Sequence, residues 1–129
     1  MKPESGALAE SAKSIAAAFG DRWVAVAERE GRLAGAVLYE RHGEAEIYLG
    51  RLSVLPEFRG QGIAAALVHH VETHARVLGA AAVTLGVRIA LPANLRFFQG
   101  QGYHEVGRDT HAGFEQPTSI RLEKRLDAR

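Results

Sequence analysis

The chain has 129 residues, 47% of them apolar and 24% charged, with a formal net charge of +1. This is the composition of a single globular domain spanning residues 1–129, without the basic excess that would make nucleic acid the default partner. The absence of cysteine excludes disulfide frameworks, cysteine-bound zinc and thiol nucleophiles together. Residues 1–20 lack the apolar core of a signal peptide and no apolar run approaches membrane-spanning length, so the expectation is a cytoplasmic protein with no membrane partner.

In chain order, Ala7 to Phe19 is alanine-rich with Leu8, Ile15 and Phe19 at helical intervals and Gly20 as a stop, which predicts a helix. Trp23 to Arg29 and Leu33 to Arg41 are rich in strand formers and are joined by Glu30-Gly31-Arg32, which predicts a hairpin. After a turn at His42-Gly43-Glu44, Ala45 to Val54 reads as a third strand whose alternation slips near Gly50 and Arg51, as at a bulge. From Ile63, the residues Leu67, Val71, His74 and Leu78 mark an amphipathic helix ending at Gly79. Ala82 to Val87 reads as a buried strand, Pro92 to Gln99 as a short helix with Gly100 to Gly102 as its exit, and Tyr103 to Gly107 and Thr118 to Glu123 as final strands.

The stretch Arg59-Gly60-Gln61-Gly62-Ile63-Ala64 sits between the third strand and the long helix. Glycines there let the backbone approach a ligand, and the free amides of the first helical turn favour an anion. Arg59 can add a charge-assisted contact, so the turn suits a diphosphate.

With Leu52-Ser53-Val54-Leu55-Pro56-Glu57-Phe58 before it and Ala65-Ala66-Leu67-Val68 after it, this motif closely resembles that of the GNAT superfamily of N-acetyltransferases. Arg59, Gly62 and Ala64 fill the family's Arg/Gln-x-x-Gly-x-Gly/Ala pattern, and the likeness runs from about Ala45 to Arg125. The resemblance implies a mixed α/β (α+β) fold, a mostly antiparallel sheet flanked by helices whose strands splay at a cofactor wedge. A first strand usual in the family is not visible in the sequence. Acetyl-CoA is the implied co-substrate, with its pyrophosphate on the turn of Arg59, Gly60, Gln61, Gly62, Ile63 and Ala64. Its pantetheine would run along Leu52, Ser53 and Val54, and the main-chain amide near Val54 would polarise the thioester carbonyl. No metal is implied; His70 and His74 are four apart on the long helix but lack a third ligand, and His74 reads as a partly buried packing residue.

Two positions depart from the family pattern. Phe98 stands where a tyrosine often protonates the leaving thiolate, leaving Tyr48 and Tyr103 as other phenols. The asparagine that usually contacts the cofactor seven residues before that position is replaced by Leu91, while Asn94, four before it, shares the same helix face. Asn94 is read either as a cofactor contact or as a helix cap, and Phe98 as part of the cofactor's wall.

Amine attack needs a base, for which Glu46 is the first candidate, with Glu40 and His111 in reserve. The connection Asp109 to Pro117, carrying His111, Phe114 and Glu115, is expected to border the acceptor. The predicted activity is acetyl transfer to a primary amine, on a small molecule or a peptide, by direct attack. The alternative is an acyl-CoA-binding sensor with little turnover; a homodimer is left open.

Overall fold

The computed structural model describes residues 12–126. Strands β1 (Ala12–Phe19), β2 (Arg22–Arg29), β3 (Arg32–His42), β4 (Glu46–Val54), β5 (Ala82–Arg88), β6 (His104–Asp109) and β7 (Ser119–Arg125) form one seven-stranded sheet in the order β1-β2-β3-β4-β5-β7-β6. Helix α1 (Ile63–Val77) links β4 to β5, and helix α2 (Pro92–Gly100) links β5 to β6. All neighbouring strands are antiparallel except β4 and β5, which are parallel and so require a crossover. The α+β architecture expected from the sequence is therefore present.

Both crossovers step the same way across the sheet, and right-handed connections then place both helices on one face. Alternate strand residues beneath them make the core: Ala25 and Ala27 of β2, Val37 and Tyr39 of β3, Ile47 and Leu49 of β4, Val83 and Leu85 of β5, and Ile120 and Leu122 of β7. Helix α1 presents Ile63, Leu67, Val68, Val71 and Ala75 to them, the stripe that its three-and-four spacing dictates. It ends in a Schellman motif, with the Ala80 amide on the Ala75 carbonyl at 3.0 Å and the Gly79 amide on that of Arg76 at 3.0 Å. Among the described residues the opposite sheet face carries no helix, and none of the helices is long and apolar enough to cross a membrane.

One element differs from the sequence reading. The helix expected over Ala7 to Phe19 is, over its described part, strand β1, paired antiparallel with β2; residues 7–11 lie outside the described residues. Alanine's helix preference is worth only tenths of a kcal/mol per residue over most alternatives, whereas pairing satisfies a row of backbone groups on the free edge of β2. Gly20 keeps the left-handed conformation expected of it (φ 66°) but uses it to turn a hairpin, with Phe19 facing Arg22. A first strand is thus present where the sequence showed none.

Candidate functional site

Strands β4 and β5 pair only from Glu46 with Ala82 to Tyr48 with Thr84, and beyond that point they diverge. The divergence begins at a bulge: Tyr39 faces Leu49 and Leu38 faces Arg51, so Gly50 is the extra residue, at the position where the sequence pattern slips. Beyond the bulge, the Leu55 amide donates to the Ala34 carbonyl at 2.8 Å. Ladder groups alternate in direction, so the backbone groups of Arg51 and Ser53 face β3 while those of Leu52 and Val54 face the gap left by β5. The gap is a cleft of about 880 Å³ lined by Leu49 to Val54 on one side and Leu85 to Arg88 on the other. Its exposed strand edge offers hydrogen bonds to an extended ligand as another strand would.

The outer end of the cleft is the turn before α1. Pro56–Phe58 forms a 3-10 turn, Gly60 and Gly62 both take left-handed conformations (φ 78° and 82°), and Gly62 is the N-cap of α1 with no side-chain cap. The first-turn amides of α1 therefore have no side-chain acceptor and point outward beside Ala64, which lines the cleft. The Arg59 amide is taken by the Pro56 carbonyl at 3.2 Å, so Arg59, also lining the cleft, offers its guanidinium rather than its backbone.

Helix α2 closes the far side with Ala93, Asn94, Phe97 and Phe98. Leu91 is the N-cap and no side chain caps the helix, which removes the capping role considered for Asn94 and leaves its amide facing the cleft. Phe98 is buried, edge-on to Phe97 and Tyr103, and forms an apolar wall without a proton to give.

A second cleft, of about 450 Å³, meets the first at Gly50 and Arg51 and is lined also by Arg22, Trp23, Val24, Leu38, Tyr39, Glu40 and Tyr48. Register places Glu40 opposite Tyr48 and Leu38 opposite Arg51, so these side chains share the face away from the helices. The Tyr48 ring stacks on His42 at 4.8 Å, and a side chain at Gly86 of β5 would begin 3.8 Å from the Tyr48 hydroxyl. That hydroxyl therefore lies over the vertex where the two strands part. His42 binds Glu40 at 2.7 Å, and this hydrogen bond, aided by Arg22 at 3.2 Å, holds the Glu40 carboxyl below its ordinary range.

The remaining candidates fall elsewhere. Glu46 is exposed at the start of β4 and lines neither cleft. Across the β6–β7 connection the His111 imidazole bonds the Thr118 hydroxyl, Asp109 pairs with Arg121 at 3.0 Å and Phe114 is exposed; none of them, nor Glu115, lines either of these two clefts. Tyr103 donates to the buried Glu72 of α1 at 2.9 Å, and Lys124 completes that pair at 3.1 Å. Burial first and the Glu72 charge second push the Tyr103 phenol far up, so it is a structural hydrogen-bond donor. The sequence signal for this trio was a glutamate in the apolar stripe of α1, where a charge must find partners.

His74 sits among Trp23 and Tyr39, its Nδ1 hydrogen-bonded with the Tyr39 hydroxyl at 2.7 Å; burial pushes that phenol up to about 12 and lowers the imidazole. His70 is lowered too, by burial and then by the neighbouring histidines. Among the described residues no three His, Asp or Glu gather as a metal site. Because both imidazoles favour the neutral form in the fold, the unfolded chain takes up protons first as pH falls. Stability should accordingly be complete above the ordinary imidazole pKa of about 6.5 and decline below it. Urea unfolding at pH 7.5 and 5.5 checks this: the midpoint should be lower at pH 5.5, and His74→Gln should shrink the difference.

Residues 4–103 match the model of the acetyltransferase (GNAT) family. The chain belongs to that family. An uncharacterised N-acetyltransferase of Mycobacterium bovis is 34% identical over 89 residues, 69% of this chain and 57% of its own. N-acetyltransferase family 8 member 2 of Rattus norvegicus is 36% identical over 105 residues, 78% of this chain and 46% of its own, so the chain spans about half the length of these curated relatives. The fold is shared with an aminoglycoside 6'-N-acetyltransferase complexed with coenzyme A, with a TM-score of 0.74 at 19% identity, covering 85% of this chain and 76% of that one.

Proposed function

We propose that the chain transfers an acetyl group from acetyl-CoA to the nitrogen of a primary amine by direct attack. The observation that carries this reading is the continuous path from the anion-binding turn, along the free backbone groups of Val54 and Leu52, to the bulge where the second cleft opens. The residues fit the co-substrate: outward amides of α1 and the Arg59 guanidinium for the diphosphate, the β4 edge for the pantetheine amides, and Asn94, Phe97 and Phe98 along the opposite wall. Of the two amides facing the gap, that of Leu52 is nearer the bulge and that of Val54 nearer the turn, and together they would orient and polarise the thioester.

The amine nitrogen bonds to the acetyl carbon, the carbon–sulfur bond breaks, and its electron pair leaves on sulfur. The thiolate then takes a proton from the Tyr48 hydroxyl, and the proton lost by the amine passes through water to Glu40, the one carboxylate that lines the second cleft. The tyrosine recovers its proton from solvent. Phe98 in the usual tyrosine place is the feature favouring the alternative, a sensor that binds acyl-CoA without turnover. Incubation with acetyl-CoA and a panel of primary amines, reading free thiol, separates the two. Amine-dependent thiol release is expected; tight acetyl-CoA binding with no release for any amine would leave the sensor.

A further inference from the structure

Arg51, with Gly50, is where the two clefts meet, and it is the one unbalanced charge among the residues lining the second. Of the other charged residues lining that cleft, Arg22 and Glu40 neutralise each other at 3.2 Å, and His42 further occupies the Glu40 carboxylate at 2.7 Å. Arg51 has no hydrogen-bond or ion-pair partner among the described residues. Its register partner Leu38 and its parity with Ser53 put its side chain on the open face, away from the core side on which Leu52 and Val54 pack. The cofactor diphosphate belongs to the turn at the N-terminus of α1, whereas the Arg51 side chain leaves β4 on the face away from that helix, so Arg51 does not serve it.

From this we infer that the second cleft is the acceptor site and that its ligand is a small primary amine which also bears a carboxylate, an amino-acid-like acceptor held by the Arg51 guanidinium. The inference rests on the acetyl-transfer reading and adds the substrate class. A cleft of about 450 Å³ is of small-molecule size. A planar guanidinium with no other partner matches a carboxylate in bidentate fashion, whereas a polycationic amine would meet an uncompensated positive charge. With the carboxylate on Arg51, the amine lies toward Gly50 and Tyr48, where the acetyl carbon is delivered.

The Trp23 indole packs on Tyr39 and His74 on the helix side of the sheet and does not face this cleft, so binding without turnover is read directly by calorimetry. The experiment takes the CoA-saturated protein and titrates matched pairs of amino acid and decarboxylated amine (alanine and ethylamine, lysine and cadaverine, glutamate and 4-aminobutyrate as a pair that keeps a carboxylate) by calorimetry. Wild type should bind the carboxylated member of the first two pairs about tenfold more tightly, with no such gap in the third. Arg51→Gln should abolish that preference, Arg51→Lys should retain part of it, and acetyl-CoA affinity by calorimetry should stay within twofold in both. Equal binding of both members in wild type, an unchanged preference in Arg51→Gln, or a large loss of acetyl-CoA affinity in that variant would each overturn the assignment. Failure of wild type to bind acetyl-CoA would instead overturn the acetyl-transfer reading, and calorimetry reads that separately.

Discussion

Gly62→Glu should remove measurable heat of acetyl-CoA binding. Gly62 holds φ 82° as the N-cap of α1, a conformation costing a side-chain-bearing residue on the order of 1–2 kcal/mol. The added carboxylate would also stand among the amides that are to receive the diphosphate, turning an attraction into a repulsion. The helix itself should survive, because Leu67, Val68 and Val71 remain buried and a glutamate suits a helix N-terminus electrostatically. Calorimetry on the folded variant, with Gly62→Ala alongside, separates the two causes: Ala carries only the strain and should lose part of the affinity, whereas Glu should lose all of it. Equal affinity of Glu variant and wild type would sink the assignment of the turn.

Tyr48→Phe should lower kcat by about a hundredfold, the lower end of what a positioned proton donor contributes. The hydroxyl is the only part removed, and the ring keeps its stack on His42, so the fold and the acetyl-CoA dissociation constant should not change. Tyr103→Phe is the matching control. It leaves the buried Glu72 with Lys124 alone, which should cost about 1–3 kcal/mol of stability and leave kcat near wild type at a temperature where the variant is folded. A Tyr48→Phe enzyme within threefold of wild type would assign the thiolate's proton to water or to the departing ammonium.

Much of the scaffold was legible because its signals are local. Glycines at 31, 62 and 79 stand where turns and helix ends demand positive φ, the stripe on α1 has an unmistakable period, and the slip near Gly50 marked the bulge to the residue. The strand at Ala12–Phe19 was not legible, since an alanine-rich run carries a helical preference that only the free edge of β2 overrides. A cleft beside the glycine turn was to be expected from the motif, but the second cleft was not. Glu40, Tyr48 and Arg51 reach one face only once register is known, and Glu46, closer in sequence to the expected chemistry, begins the strand outside both clefts. The connection bearing His111 looked apt by composition, yet its imidazole and Asp109 are engaged with Thr118 and Arg121.

The extra residue in β4 also separates what the fold needs from what the chemistry needs. Excising Gly50 would leave Leu49 pointing into the core, Arg51 out and Leu52 in, the same alternation as before, with Tyr39 and Leu38 still facing the same partners. The register on β3 would stay as it is, but the local bend and added twist that the extra residue imposes on β4 would be lost. The alternation of the core does not call for Gly50, and its worth lies in direction: the bend it introduces turns the free edge of β4 away from β5.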